Sequence, residues 1–316
     1  AIYDKGLYNF FQIILSIETI LLLVTLALVY RELSFEKVKI KIPKKYFIYA
    51  IPLVPTMILS WIINYSDQLM IVHFSGLEEN ARYSLYYMYS RIPHWIIITP
   101  LNYALLPFLS RFTYAGDEIK KVNNYIKESI NISFLIISIL IIFLIFYGPD
   151  IIFLLSNEVV NINSVYLTVL ISFSVFATAF YQIVYHIISL KNKTGKLVII
   201  FGSGAVVNIV LNYFSIPVYG IIGASISTLV SFVIVALLTW KVSGVLFREI
   251  FYNSTLLFLV LIFSIALLSK IFFFSNLIAI SVVFLLLIFC FLLFTHKYFN
   301  SYSLYIKSKL KNIFNK

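Results

Sequence analysis

Cysteine, charge and extended polar segments are scarce in this sequence. Cys290 is the single cysteine, so an intramolecular disulfide is excluded, and no CxxC pair or histidine-rich cluster suggests a bound metal. Charged residues make up 12% and hydrophobic residues 61% of the 316 positions, whereas a soluble domain carries about 25% charged residues. Runs of about 20 apolar residues, long enough to cross a bilayer, recur along the chain. These properties exclude a soluble protein and predict an all-α, polytopic transmembrane fold.

Nine membrane spans are predicted from apolar runs that are bounded by charge, glycine or proline. They lie near residues 8–30, 46–74, 83–109, 129–148, 163–189, 195–216, 220–240, 254–270 and 276–295. The first residues contain neither an initiator methionine nor a signal-peptide pattern, which predicts that the natural protein begins upstream of Ala1.

Lysine and arginine are distributed unequally between the two sets of loops. One side holds 20 of the 24 basic residues, and the other side holds only Lys5, Arg82 and Lys270. Because basic loops are retained in the cytoplasm, residue 1 is predicted outside, and the C-terminus in the cytoplasm, of a multi-pass protein of the cell membrane. The net charge of +11 thus indicates topology and attraction to anionic membrane lipids. Nucleic acid is not an expected partner, because no base-reading module is present.

Two segments are predicted to lie at the membrane surface. Residues 149–160 form an apolar run that is too short to span and contains no lysine or arginine, so we expect it in the outer interface before the fifth span. In the tail, Ile306, Leu310 and Ile313 recur at helical spacing among lysines. Residues 297–316 are therefore interpreted as a basic amphipathic cytoplasmic tail, with a solvated disordered tail as the alternative.

Three ionisable residues fall inside predicted spans, where a charge near the bilayer centre costs at least about 2.5–3.5 kcal/mol. Glu18 lies about ten residues into the first span, hence about 15 Å deep at 1.5 Å per residue. Asp67 lies in the outer third of the second span, and Arg91 lies about eight residues into the third, at a matching depth. Each of these side chains needs a partner or a water-filled cavity.

Two interpretations of Asp67 and Arg91 remain open. In the first, they form an ion pair between adjacent helices, with His94 and Tyr65 as hydrogen-bonding neighbours. In the second, Arg91 lines a cavity and contacts a phosphate or another anionic group of a substrate, which displaces the pair. For Glu18 the alternatives are coupling to a proton or cation gradient and contact with a helix outside this sequence.

Proline makes the second and third spans irregular, as is typical of the broken helices that line transporter cavities, although simple packing kinks are the alternative. The prolines are Pro52, Pro55, Pro93, Pro100 and Pro107. In the fifth span, polar and aromatic side chains occupy neighbouring helical positions, either as contacts between helices or as the lining of a cavity. They are Tyr181, Gln182, Tyr185 and His186.

A hairpin motif occupies residues 191–233. A span with Asn208 and Asn212 ends at Ile216-Pro217, turns through Tyr219-Gly220 and continues as Ile221-Ile222-Gly223-Ala224-Ser225. Pro217 and Gly220 favour a tight external turn, and Gly223 allows two helices to pack closely. A second pattern begins at Ile51-Pro52-Leu53-Val54-Pro55, continues through Asn64-Tyr65-Ser66-Asp67 and ends at Leu106-Pro107-Phe108.

Both motifs resemble polysaccharide flippases of the O-antigen or lipid-linked oligosaccharide type, in the multidrug/oligosaccharidyl-lipid/polysaccharide exporter (MOP) superfamily. Members have a similar Asn-x-x-x-Asn, Ile-Pro and Tyr-Gly-x-x-Gly-Ala hairpin and a Ser-Asp pair usually followed by Arg. This sequence has Gln68 where that Arg is usual, so no role is carried over to position 68.

The resemblance implies a MATE-like architecture for the C-terminal two-thirds of such a protein. Residues 1–45 would be the last helix of the N-terminal lobe with a basic cytoplasmic loop, 46–241 the six-helix C-terminal lobe, and 242–296 two accessory transmembrane helices. Five spans would precede this sequence. Five is an odd number, as the charge distribution requires if the full protein starts in the cytoplasm.

The resemblance also implies a function. Two lobes would rock about a central cavity and move a lipid-linked oligosaccharide from the cytoplasmic to the outer leaflet for surface polysaccharide biosynthesis, with no cofactor and with possible coupling to a proton or sodium gradient. Arg91, Asp67 and His94 are the candidate substrate-binding residues, and Glu18 is the candidate coupling residue. A polysaccharide polymerase or other assembly proteins are candidate partners.

Other functions remain as alternatives. A drug or cation exporter, or a peptidoglycan-precursor flippase, of the same superfamily would keep the fold and change the substrate. An integral-membrane glycosyltransferase or polysaccharide polymerase would need catalytic groups in a large external loop, whereas the longest external segment offers only Asp150 and Glu158. The protein is therefore not expected to be an enzyme.

Overall fold

The computed structural model describes residues 2–32, 43–114, 119–156, 162–272 and 281–294. Within these ranges the chain folds into helices and contains no strand. The helices are α1 (Ile2–Glu32), α2 (Lys44–Ala50), α3 (Leu53–Ser75), α4 (Leu77–Ser90), a π-helix (His94–Ile98), α5 (Thr99–Tyr114), α6 (Ile119–Ser156), α7 (Ile162–Leu190), α8 (Gly195–Ser243), α9 (Phe247–Ile250), α10 (Asn253–Phe272) and α11 (Ser281–Phe294). The predicted all-α fold is confirmed.

The chain divides into two units, Ala1–Tyr46 and Phe47–Lys316. The first unit consists mainly of α1, whose described side chains are all exposed, Glu18 among them. The second unit contains α3 to α11 and has a large apolar core formed by side chains of α3, α5, α6, α7 and α8. The candidate site lies in this second unit. From here on we call the unit of residues 47–316 the lobe, which is a longer range than the six-helix C-terminal lobe of 46–241 that the resemblance implies.

Five helices of the described ranges are long and apolar enough to cross a membrane, or six if a bent pair forms one span. The bent pair joins Leu77–Ser90 to His94–Arg111 at 46°. Two shorter apolar helices, Asn253–Ala266 and Ser281–Phe294, follow near the C-terminal end. A multi-pass membrane protein is thus supported, while the count of nine spans stays a prediction.

The segment after residue 148, which is expected in the outer membrane interface, is helical up to residue 156. Helix α6 continues without a break to Ser156. Ile152 on this extension is buried and packs in a cluster with Leu144, Leu167 and Tyr89. Burial of apolar side chains therefore prolongs α6 beyond the predicted end of the fourth span. The amphipathic tail proposed for 297–316 lies outside the described residues.

The hairpin motif forms a single element, α8, that is bent at Gly220. Gly220 has φ 55° and ψ −136°, which is not helical and lies in the region that favours glycine. Pro217, just before it, cannot donate a backbone hydrogen bond. After the bend, a Cβ placed on Gly223 would lie 2.5 Å from the carbonyl oxygen of Ser215. The two halves of α8 therefore approach so closely that only glycine fits at position 223.

Polar side chains join α8 to α3. Ser66 Oγ donates a hydrogen bond of 2.7 Å to Asn208 Oδ1, which also accepts one of 3.0 Å from Asn212 Nδ2. Both asparagines are fully buried. In the apolar interior of a membrane protein such contacts hold helices together, since no water competes for them. Asn208 thus joins α8 to α3, and Asn212 supports the Asn208 side chain from within α8.

Candidate functional site

The site forms where the third predicted span is broken. Helix α4 ends at Ser90, and Arg91 follows with φ −93° and ψ 3°. Pro93 precedes the π-helix His94–Ile98, which leads into α5. Single π-turns are uncommon and occur frequently at functional sites. The break directs Arg91 and His94 towards a cavity between α3 and α7.

Arg91 is held by neutral partners. Its Nη1 donates a hydrogen bond of 2.5 Å to Asn64 Oδ1 and another to the hydroxyl of Tyr87. The guanidinium also lies over the rings of Tyr87 and Phe232, at 5.2 and 5.7 Å from their centroids. Arg91 Nε is buried and has no hydrogen-bond partner. The guanidinium of Arg91 is therefore a nearly buried cation with no anionic partner among the described residues.

Asp67 does not pair with Arg91. The carboxylate is fully buried, accepts hydrogen bonds of 2.5 Å from the hydroxyl of Tyr83 and 3.1 Å from Thr228 Oγ1, and accepts one of 2.8 Å from the backbone N–H of Gln68. In the described ranges, the side-chain ion pairs join Arg82 to Glu78 and Glu79. The direct ion pair considered from sequence is therefore wrong, because the side chain of Asp67 turns towards α4 and α8.

Imidazole and amide groups form a hydrogen-bonded row beside Arg91. His94 Nε2 lies 3.2 Å from Gln182 Oε1, which also accepts a 2.5 Å hydrogen bond from Asn102 Nδ2. Asn102 Oδ1 lies 3.0 Å from His186 Nε2. The side chains from the fifth predicted span thus contact the broken span, and Gln182 lines the cavity as well. Side chains of the fifth predicted span therefore serve both as contacts between helices and as lining of the cavity.

The cavity has a volume of about 700 Å³. Arg91, His94, Asn64 and the Asn102–Gln182 amides provide its polar wall. Exposed aromatic side chains provide much of the remaining wall: Trp61, Tyr65, Trp95 and Tyr103. No acidic residue lines it among the described residues, and no group of three or more metal-binding side chains occurs in those ranges. The cavity therefore suits a ligand with negative charge and many hydroxyl groups.

The predicted site residues lie in different places. Arg91 and His94 line the cavity, whereas Asp67 lies behind it, and Glu18 belongs to the other unit. Asn208 joins α8 to α3 and is supported by Asn212, while Pro217, Gly220 and Gly223 shape the bend of α8.

Sequence reasoning missed Asn64 and Asn102. Both side chains are uncharged amides, which are common in apolar helices. Their place in the site becomes evident only from hydrogen bonds to residues far along the chain. Trp61 and Tyr65 were also missed as a pair. They lie one helical turn apart on α3, with ring centroids separated by 5.6 Å.

Comparison with known proteins supports this architecture. The sequence profile of the polysaccharide biosynthesis protein family matches residues 5–113. The lipid II flippase MurJ in an inward closed conformation is 17% identical, with a TM-score of 0.57 over 78% of this chain and 52% of that one. An outward-facing multidrug resistance MATE family transporter of the MOP superfamily is 20% identical, with a TM-score of 0.53 over 72% and 52%. The chain has the MOP superfamily fold.

A third structure with the MOP fold is a transporter of that superfamily from Pyrococcus furiosus, at 19% identity, with a TM-score of 0.52 over 72% of this chain and 52% of that one. No curated protein sequence matches the chain. These findings confirm the predicted resemblance to MOP flippases, and the named neighbours are transporters rather than enzymes. The chain spans about half the length of each of these structures, at 52%.

Proposed function

We propose that this chain is part of a membrane transporter that moves a lipid-linked oligosaccharide from the cytoplasmic to the outer leaflet by alternating access, for surface polysaccharide biosynthesis. The single observation that carries this proposal is the buried guanidinium of Arg91, which has no anionic partner among the described residues and lies in the wall of a cavity of about 700 Å³. Guanidinium groups bind phosphate oxygens through strong charge-assisted hydrogen bonds. The diphosphate of the lipid carrier is the group that Arg91 would bind.

The other walls of the cavity fit the sugar part of such a substrate. Trp61 and Tyr65 offer adjacent exposed rings, on which the apolar face of a sugar ring can pack. Asn64, Asn102 and Gln182 offer amide groups in the same cavity, which can bind hydroxyl groups. In this proposal the lipid tail stays in the bilayer, because a cavity of about 700 Å³ is too small to hold it together with the diphosphate and the sugars.

The charge of the cavity favours this substrate over a cationic drug. A site that exports cations is expected to present carboxylates, whereas the described lining contains Arg91 and no acidic residue. A peptidoglycan precursor shares the diphosphate and the sugars, and MurJ is a flippase of lipid II. The match to the polysaccharide biosynthesis family favours the surface glycan between these two.

The test is a flipping assay on the native gene product in proteoliposomes. A fluorescent polyprenyl-diphosphate oligosaccharide should cross to the outer leaflet, and its movement should be read from quenching by an added reductant. A fluorescent lipid II and a cationic dye serve as competing substrates. Movement of the dye alone would refute the proposal, and faster movement of lipid II would assign the protein to peptidoglycan synthesis.

Coupling and orientation are further parts of the proposal. Glu18 is the proposed coupling residue for a proton or sodium gradient, and residue 1 is placed outside, with the C-terminus in the cytoplasm. Anionic membrane lipids and polysaccharide assembly proteins are the proposed partners.

Orientation is tested by thiol labelling of intact cells: a cysteine at position 82 should react with an impermeant reagent, and one at 191 should not. The reverse pattern would overturn it.

A further inference from the structure

Four polar side chains form a continuous hydrogen-bonded row across the lobe. Along the row, His94 Nε2 lies 3.2 Å from Gln182 Oε1, Asn102 Nδ2 lies 2.5 Å from the same oxygen, and His186 Nε2 lies 3.0 Å from Asn102 Oδ1. Gln182 Nε2 donates in turn to the hydroxyl of Tyr181, at 3.3 Å. We call these four side chains, His94, Gln182, Asn102 and His186, the imidazole–amide row.

The row determines which nitrogen of each imidazole carries hydrogen. In the amide orientations of this structure, His94 Nε2 and His186 Nε2 both face amide oxygens, which only accept hydrogen bonds, so both Nε2 atoms are assigned as donors. In a neutral imidazole the other nitrogen, Nδ1, then carries a lone pair. Both Nδ1 atoms are buried and have no hydrogen-bond partner within the described part of the chain. Each can therefore bind a proton without losing the existing Nε2 hydrogen bond.

The surroundings of the two imidazoles differ in charge. Arg91, at the end of α4, acts electrostatically on His94, and the phenol of Tyr181 from α7 lies close to the same guanidinium. Around His186, the ring of Tyr185 packs at 4.8 Å, and no charged group of the described residues acts on the imidazole. From α3, Asn64 accepts a hydrogen bond from Arg91. The carboxylate of Asp67, on the same helix, accepts hydrogen bonds from Tyr83 and Thr228. No carboxylate in the described ranges is bonded to either imidazole.

The row connects the broken span to its neighbour. His94 opens the π-helix and Asn102 lies on α5, whereas Gln182 and His186 lie one helical turn apart on α7. His94 and His186 are 8% and 2% exposed. These hydrogen bonds join the two elements, so a movement of the broken span relative to α7 that separated them would break the bonds and expose the imidazoles to water. Because an unpaired buried charge is costly, a proton binds more tightly to a hydrated conformation than to this buried one.

We propose that His94 and His186 form a proton-binding site in the lobe, and that proton binding at their Nδ1 atoms is linked to movement of the broken span against α7. The coupling of proton binding to transport rests on the proposed function, whereas the proton-binding site itself does not. A proton that binds on one side of the membrane and leaves on the other would bias the conformational cycle. The imidazole–amide row would then be a coupling element separate from Glu18.

The proton site is tested first without any transport. The native gene product is labelled with ¹⁵N-histidine in lipid nanodiscs, and its imidazole signals are assigned by comparison with His94→Gln and His186→Gln. Glutamine can keep the donated hydrogen bond but cannot bind a proton in this pH range. At alkaline pH both signals should show hydrogen on Nε2 and none on Nδ1, and progressive acidification should add a proton to Nδ1 of both rings. His73→Gln, an exposed imidazole outside the row, is the matched control.

Two spectroscopic outcomes would overturn the proposal. One is hydrogen on Nδ1 at alkaline pH in either imidazole, because the row then has the opposite polarity. The other is a neutral signal for both side chains down to the lowest pH at which the protein stays folded. If His94→Gln fails to fold, His186→Gln, His73→Gln and His296→Gln assign the other three imidazoles of this sequence, and the signal that remains is that of His94.

Transport then tests the linkage. In proteoliposomes with the fluorescent polyprenyl-diphosphate oligosaccharide, an imposed pH gradient should accelerate flipping by the unaltered protein. His186→Gln should keep the gradient-free rate and lose this acceleration, whereas His73→Gln should keep both. Equal acceleration in His186→Gln, or no acceleration in the unaltered protein, would overturn the linkage. If the unaltered protein flips no such lipid at all, the proposed function fails, and the NMR titration decides the proton site alone.

Discussion

The hydroxyl of Tyr83 donates a 2.5 Å hydrogen bond to Asp67 Oδ2, and this contact keeps the one fully buried carboxylate of the described residues away from Arg91. The ring of Tyr83 packs at 5.6 Å from that of Tyr87, whose hydroxyl accepts a hydrogen bond from Arg91. Asp67 therefore influences Arg91 through two tyrosines rather than by a direct ion pair. The guanidinium remains available to an anion that enters the cavity.

Replacing Arg91 with Ala is expected to abolish flipping of a diphosphate-linked oligosaccharide while the protein still reaches the membrane. A hydrogen bond to a charged group contributes about 1.5–3 kcal/mol, which corresponds to a loss of about 10- to 150-fold in affinity per contact. Arg91→Lys should be intermediate, because it keeps the charge and loses the planar fork. Flipping by proteoliposomes and surface polysaccharide in cells measure the effect.

The matched control for Arg91→Ala is Arg82→Ala. Arg82 also carries charge, but it forms surface ion pairs with Glu78 and Glu79, away from the cavity. This variant should flip at the unaltered rate. Normal polysaccharide in cells that carry Arg91→Ala at normal protein levels would remove Arg91 from the substrate site.

A double-mutant cycle tests the separation of Asp67 from Arg91. The coupling energy between Asp67→Asn and Arg91→Gln should be smaller than that of a contacting pair, because the two side chains act on each other electrostatically and through the Tyr83–Tyr87 contact but share no hydrogen bond. Asp67→Asn with Tyr83→Phe should instead show a coupling energy of about 0.5–3 kcal/mol, since these two are in contact. Thermal and denaturant unfolding in mild detergent provide the measurement. Strong coupling in the first cycle would mean that a direct ion pair forms in solution.

The sequence predicted the ionisable residues of this site but not their partners. A charge inside an apolar run is conspicuous, so Arg91 and His94 were identified, and both line the cavity. Similar depth of Asp67 and Arg91 suggested a pair, but depth does not specify which way a side chain points around the helix axis. Rotation of α3 directs Asp67 towards Thr228 on α8, a contact between residues 161 positions apart.

The fold was predictable for a related reason. Proline and glycine determine where backbone hydrogen bonds stop, so the bend at Gly220 and the irregular span around Pro93 could be placed from the sequence. The π-helix His94–Ile98 could not be, because it depends on the packing of α7 and α6 against it. The extension of α6 to Ser156 likewise depends on the burial of Ile152, which a count of apolar residues does not reveal.

Replacing Glu18 with Gln is expected to remove the dependence of flipping on a proton or sodium gradient while gradient-free exchange continues. Glutamine has nearly the same volume but can neither release a proton nor attract a cation. Glu18→Asp should restore the dependence, because it keeps the carboxylate. Flipping rates with and without each imposed gradient measure the effect. A gradient response in Glu18→Gln equal to that of the unaltered protein would reject this coupling role and leave the imidazole–amide row as the candidate.

Replacing Gly220 with Ala is expected to destabilise the lobe by more than about 1 kcal/mol, because position 220 has φ 55°, which a side chain at Cβ disfavours. Its surroundings leave open space for a methyl group, so the cost would come from the backbone alone. Gly195→Ala is the matched control: the space around it is also open, and it begins α8 without a positive φ, so alanine should be neutral or stabilising there. Unfolding temperatures of the two variants in detergent provide the comparison. Equal unfolding temperatures would contradict the backbone strain expected for a side chain at position 220.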